Sequence, residues 1–211
     1  MRQEVPLASS TGPRPPARVA AGPADLETVT TIIALAFADD PVWGPAFARA
    51  TSSAARASIW RAYLDPLMRF PWTWLSAGDE AASVWVPPGE EEMTTAQWDG
   101  FVAVMRANLG DDADRVVALF ERFEAAHPRD ERHHYLSLLG THPDHRGAGH
   151  GMGLLADNLV RVDEVGMPAY LESTNPANDA RYWRLGFEAL GSFEGFVPGT
   201  RITTMWRPPN H

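Results

Sequence analysis

Between Leu138 and Leu155 the chain reads LLGTHPDHRGAGHGMGLL, a stretch that has to pass from a strand through a tight loop into a helix. The apolar run Tyr135 to Leu139 is read as a buried strand that Pro143 ends. Gly149 then opens a helix whose Met152, Leu155, Leu159 and Val162 recur at helical spacing. A helix N-terminus aims free N–H groups and a partial positive charge at its loop, so the natural guest is an anion. Glycine at 147, 149, 151 and 153 removes the side chains that would hold phosphate oxygens away from those groups. A P-loop needs Lys and then Ser or Thr after its last glycine, whereas Gly151 is followed by Met152 and Gly153. The dinucleotide fingerprint Gly-x-Gly-x-x-Gly fails as well, because its last place falls on Met152 or Leu154.

A second block runs from Ala169 to Phe187 and reads as strand, turn, short helix and strand. Pro176 and the Asn and Asp residues around it break the chain, and Asn178 is placed to cap the helix. Gly186 is the C-cap that lets Phe187 start the next strand.

The pattern Arg146-x-x-Gly149-x-Gly151, with Pro143 three residues before the Arg, resembles the acetyl-CoA pyrophosphate loop of the GCN5-related N-acetyltransferase (GNAT) superfamily. The second block is similar to that superfamily's next motif. This resemblance implies an α/β fold with a central, mixed, mostly antiparallel sheet and flanking helices. It also implies acetyl-CoA as co-substrate, held by Leu139, Gly140, Thr141, Arg146, Gly147, Ala148, Gly149, His150, Gly151 and Asn178. In that frame Asn178 meets the pantetheine arm, and Tyr182, four residues before Gly186-Phe187, faces the thioester sulfur. The layout, with Leu171-Glu172 and Tyr182 to Phe187, looks like the puromycin N-acetyltransferase branch. The likeness is specific only from about Tyr135 to Phe187.

Acyl transfer from a thioester to an amine requires a neutral nucleophile, an oxyanion stabiliser and a proton for the departing thiolate. Backbone N–H groups at the end of the Leu138–Thr141 strand supply the second if a bulge splays it from the Ala169–Ser173 strand. The resemblance implies that splay, and Gly140 hints at where it lies. Tyr182 is the candidate acid, a phenol of pKa about 10 facing a thiol of about 8.5, a mismatch that hydrogen bonding would remove. Glu172, at the end of its strand, is either the base or a carboxylate that fixes the turn from Ser173 to Asn178. Asp39 and Asp40 suit an acceptor cation or a plain helix stop. Adjacent His133 and His134 point to opposite faces, so at most one lines a cleft. No metal is expected, since neither carboxylate nor Cys completes a set with His142, His145 and His150.

Met1 to Pro16 lacks periodicity and reads as a disordered tail, leaving 17–211 as a single domain. A short strand is expected near Arg18 to Ala20, then a helix from about Ala24 to Phe37 with Leu26, Val29, Ile33 and Phe37 as its apolar stripe. A second helix spans Ser52 to Phe70 with a kink at Pro66, and Trp72–Leu75 pairs with Ala81–Val86 in a hairpin. Two further helical patterns, Thr94 to Asn108 and Ala113 to Ala126, form a helical insertion over 90–128 placed to wall an acceptor site. Trp43, Trp60, Trp72, Trp74, Trp85 and Trp98 precede the glycine-rich loop and serve either an aromatic acceptor cleft or the core.

With 0 cysteines there is no disulfide, zinc-thiolate site or acyl-cysteine route, so transfer is direct or uses another nucleophile. The longest apolar run, Val29 to Ala38, is too short to span a bilayer and no leader pattern precedes it, so a cytoplasmic protein without a membrane partner is expected. A net charge of -9 argues against a nucleic-acid partner and suits a cationic acceptor, though acidity also serves solubility. Arg49, Arg56 and Arg61 serve a homodimer or solvate a helix. The chain thus reads as an N-acetyltransferase moving an acetyl group from acetyl-CoA to a primary amine of a small molecule, by direct attack in a ternary complex. The alternatives are a protein or peptide N-acetyltransferase and a catalytically weak acyl-CoA-binding sensor.

Overall fold

The computed structural model describes residues 21–210, so the expected tail over 1–16 and the strand near Arg18 to Ala20 lie outside the described residues. After a 3-10 turn the chain forms α1 (Leu26–Ala36), a short α2 (Trp43–Ala46), α3 (Ser53–Leu67), β1 (Thr73–Leu75) and β2 (Ala81–Val86). Then come α4 (Thr95–Leu109), α5 (Ala113–Ala126), β3 (His134–Thr141), α6 (His150–Glu164) and β4 (Ala169–Ser173). The last elements are α7 (Asp179–Trp183), β5 (Glu188–Glu194) and β6 (Arg201–Arg207). The strands form a 6-stranded sheet in the order β1-β2-β3-β4-β6-β5, in which β3 and β4 run parallel and every other pair antiparallel. This is the mixed, mostly antiparallel α/β architecture that the motifs imply.

Helices cover both faces of the sheet. On one face α1, α3, α4 and α5 enclose a core that includes Ile33, Leu64, Val84, Met105 and Leu119. On the other, α6 buries Leu155, Leu159 and Val162 against Trp85, Leu136 and Phe187. Because it lies between two helical layers, β2 is buried along all six residues, as a strand covered on both faces must be. Leu26, Val29 and Ile33 face the core as their spacing predicts, while Phe37 is only partly buried.

Local chemistry sets the element ends. Asp40 stops α1 by accepting the N–H groups of Val42 and Trp43 on Oδ1, at 2.9 and 3.0 Å. Ser52 caps α3, which ends at Leu67 and not at Phe70, with Pro66 in its last turn, where the chain is already leaving the helix. Thr94 and Gln97 form a reciprocal capping box at the start of α4, and Gly110 at φ 57° turns the chain toward α5. Arg49 pairs with Asp112 and Arg61 with Glu27, so both have partners within the chain. No helix among the described residues is long and apolar enough to cross a membrane.

Candidate active site

A cleft of about 1160 Å³ opens at the ends of β3 and β4. One side is the glycine-rich loop. Gly147 and Gly149 both adopt φ 85°, a left-handed conformation that side-chain-bearing residues avoid. Gly151 lets α6 approach the strand, since a Cβ there would lie 2.5 Å from Thr141 Oγ1. The first helical bond runs from Gly153 N to Gly149 O at 2.8 Å, so the preceding N–H groups of the turn stay outside the helical ladder. Arg146 sends Nη2 to the carbonyl of Ala36 at 2.8 Å and so ties the loop to the C-terminus of α1. Leu139, Gly140, Thr141, Arg146, Gly147, Gly149, His150 and Gly151 line the cleft, whereas Ala148 is exposed on the loop and is not part of the wall.

The two central strands part inside this cleft. β3 and β4 pair only from His134 to Leu136 and from Ala169 to Leu171, so the edge of β3 beyond Leu136 is free of β4. The cause is a bulge. In the pairing of β2 with β3, Trp85 lies opposite Leu136 and Val84 opposite Leu138, which leaves Ser137 as the extra residue. The core confirms the shift, because Leu136 packs with α6 and Leu138 with the opposite layer, although residues two apart in a regular strand share a face. The irregularity is therefore at Ser137, not at Gly140. Gly140 is glycine for another reason: a Cβ there would come 2.9 Å from Ala36 Cβ and from Ile33 Cδ1, so α1 needs the bare backbone to pack.

Glu172 projects into the cleft just past the last β3–β4 pair. Its side chain is 2% exposed, and Oε1 has no hydrogen-bond partner. Burial pushes its carboxyl up to about 8; the neighbouring phenols of Tyr170 and Tyr135 pull the other way and the charge of Glu92 adds to the rise. His127 Nδ1 stands 4.0 Å from Glu172 Oε1, and burial lowers that imidazole to about 3, so it stays neutral. Glu92, which no motif singled out, accepts Tyr63 Oη and, at 2.7 Å, Ser137 Oγ. Both bonds fall on Oε1. Burial raises the Glu92 carboxyl as well.

Tyr182 lines the cleft opposite the loop. Burial, then the charges of Asp40 and Asp179, push its phenol up to about 12. The hydrogen bonding expected to narrow the gap to a thiol is not present among the described residues, and the phenol moves the other way. Asn178 also lines the cleft but does not cap α7 through its side chain, because Oδ1 accepts Arg181 Nη1 at 3.0 Å. Asn175 does the local capping by accepting Ala177 N at 3.1 Å. Asp40 reaches across to Thr174, whose hydroxyl donates to Oδ2 at 2.8 Å, joining the end of α1 to the turn after β4. Asp39 lines the cleft and is exposed.

The helical insertion walls the cleft with Trp98, Phe120, Phe123 and His127, beside Trp43 and Trp60. Trp74 and Trp85 serve the sheet's other face, where Trp85 Nε1 donates to the buried Asn158 at 3.0 Å, and Trp72 packs against both core layers. Of the adjacent histidines, His133 faces the cleft and His134 packs against Trp72 in a tilted contact with ring centroids 4.1 Å apart. Glu92, Tyr63 and His127 were invisible to motif reading, since nothing in their own neighbourhoods marks them.

No known family profile matches the sequence. The fold does have solved relatives. An acetyltransferase of Corynebacterium glutamicum, described as histone acetyltransferase HPA2 and related, superposes with a TM-score of 0.64 at 23% identity, over 94% of this chain and 98% of its own. Arylalkylamine N-acetyltransferase 2 of Aedes aegypti gives 0.62 at 9% identity, over 92% and 99%. A polyamine N-acetyltransferase of Drosophila melanogaster gives 0.58 at 14%, over 89% and 96%. The chain has the fold of the GNAT acetyltransferases.

Proposed function

We propose that the protein is an acetyl-CoA-dependent N-acetyltransferase acting on a primary amine of a small molecule. The observation that carries this reading is the parting of β3 and β4 at Ser137, which sets an unpaired strand edge between an anion-binding loop and a buried carboxylate. The fold alone does not fix a reaction, so the residues have to supply the argument.

They fit acetyl-CoA. Gly147 and Gly149 keep the loop free of side chains, and the first turn of α6 offers N–H groups to a pyrophosphate. Gly151 and Asn178 line the path from that loop to Tyr182. When bound, acetyl-CoA supplies the acyl carbon, the N–C bond forming as the C–S bond breaks. Glu172 takes the proton of the entering ammonium, leaving a neutral amine as nucleophile. The unpaired edge of β3 stabilises negative charge on the acyl oxygen. Tyr182 gives its phenolic proton to the departing sulfur and is reloaded by the proton that the new amide nitrogen loses.

The insertion favours a small acceptor over a peptide, because α4 and α5 add Trp98, Phe120 and Phe123 to the wall of the cleft. The aromatic wall suits the bulky acceptors of the puromycin N-acetyltransferase branch as well as arylalkylamines. The experiment is free-thiol release from acetyl-CoA across a panel of aminonucleosides, arylalkylamines, aliphatic amines and short peptides, with Tyr182→Phe alongside. Release with a small amine, depressed in the variant, supports the reading. Tight CoA binding without release for any acceptor overturns it in favour of a sensor.

A further inference from the structure

We propose that the acceptor carries a second cationic group besides its reacting amine, and that Glu92 is the residue that binds it. This rests on the transfer reading above and goes further by setting the charge of the substrate. Two carboxylates share the acceptor end of the cleft, and the described residues offer neither an ion pair with an arginine. The nearby guanidiniums are committed elsewhere: Arg129 pairs with Glu124, and Arg132 donates to the carbonyl of Pro88 at 2.8 Å. The two imidazoles that face the carboxylates, His127 and His133, are held neutral by burial and bond to each other at 3.0 Å. Glu172 Oε1, on a side chain only 2% exposed, has no hydrogen-bond partner among the described residues.

Turnover makes one cation insufficient. The reacting ammonium hands its proton to Glu172, which becomes neutral as the amine becomes a neutral amide. That exchange leaves Glu92 with only the through-space charge of Arg129, which is itself paired with Glu124. Its Oε1 already accepts the hydroxyls of Tyr63 and Ser137, which fix the carboxyl in the cleft wall, while burial disfavours its ionised form until a cation arrives. Among the described residues its Oε2 takes no hydrogen bond. An anion left unpaired in such surroundings is costly, and a cation that remains on the substrate throughout the reaction removes that cost. Trp43, Trp98, Phe120 and Phe123 provide an apolar wall for the spacer between the two charges.

The test uses matched acceptors, 1,4-diaminobutane and agmatine against n-butylamine, on the full chain. Thiol release should show kcat/KM at least about 20-fold higher for the dications. Glu92→Gln should reduce that preference to about 3-fold or less, mainly through the KM of the dications, with the KM for acetyl-CoA unchanged. Quenching of tryptophan fluorescence by 1,4-diaminobutane without CoA gives an independent readout, and it should weaken in Glu92→Gln. Equal use of monoamine and diamine by the unmodified protein overturns the proposal whether or not the variant folds. So does a variant that loses both substrates alike, which would mark Glu92 as a support for Tyr63 and Ser137. Thiol release indifferent to the second charge leaves the transfer reading standing, whereas diamine binding without release from any amine overturns transfer and supports the subsite.

Discussion

Arg146 Nη2 donates to the carbonyl oxygen of Ala36 at 2.8 Å, joining the glycine-rich loop to the end of α1 across 110 residues of sequence. A cation at a helix C-terminus satisfies an orphan carbonyl and complements the helix dipole, and here it also sets the position of Gly147 and Gly149. Arg146→Ala should raise the KM for acetyl-CoA by about 5- to 10-fold, in line with loss of roughly 1 kcal/mol. The kcat should stay within about 2-fold, because the bond lies away from Glu172 and Tyr182. Steady-state kinetics with a saturating acceptor check this.

Gly140→Ala adds a methyl group 2.9 Å from Ala36 Cβ and Ile33 Cδ1. Ile33 is fully buried on α1, so neither partner is a flexible surface side chain. Overpacking of this kind costs about 1–3 kcal/mol, and for a chain of this size Tm should fall by roughly 3–10 °C. Thermal unfolding followed by circular dichroism measures it. An unchanged Tm would mean that α1 moves away freely and that the glycine is not there for packing.

The reach of sequence reading has a physical boundary in this protein. The loop and α6 were legible because glycine sign, helix periodicity and the Pro143 stop all act within a few residues. The same holds for α4 and α5, whose capping box and Gly110 turn are local signals. The end of the cleft around Glu92 was not legible. Glu92 meets Tyr63 and Ser137 across 29 and 45 residues, and only the sheet topology brings them together. The bulge at Ser137 has no composition of its own, whereas Gly140 three residues on drew attention for what proved to be a packing reason. Asn178 fits the N-cap pattern, yet Arg181 claims its side chain.

Tyr182→Phe removes the candidate acid while keeping the ring that packs beside Phe187 at 6.1 Å. Its kcat should fall by about 10²–10³, with both KM values within about 3-fold. With the phenol pushed up to about 12 by burial and by the charges of Asp40 and Asp179, the unmodified protein should show no alkaline fall in kcat below pH of about 10. An alkaline limb near pH 9 that disappears in the variant would contradict that environment for Tyr182.

With Glu172 as the proposed base, activity and stability should run in opposite directions with pH. Its carboxyl is raised from 4.5 to about 8, first by burial and then by Glu92, so the base form needed for turnover accumulates only as pH approaches 8. In kcat/KM, which reports the free enzyme, the rising limb should therefore centre near 8 and be absent from Glu172→Gln. An acceptor cation in the cleft favours the ionised carboxylate, so the limb in kcat should sit at lower pH than the limb in kcat/KM. For stability, the folded state holds the Glu172 proton over a range in which the unfolded chain has already released it. The contribution is complete below pH 4.5 and is lost progressively as pH rises to about 8. Burial lowers His127 and His134 to about 3 and 4 and moves His133 the same way, so they destabilise the fold in acid; over the range near pH 8 in which Glu172 titrates in the folded state all three are neutral in both proteins. The Tm of Glu172→Gln minus that of the unmodified protein should thus grow from pH 4.5 to about 8 and then level off. A difference that does not change with pH would mean that Glu172 titrates as an ordinary exposed carboxylate and is not the base.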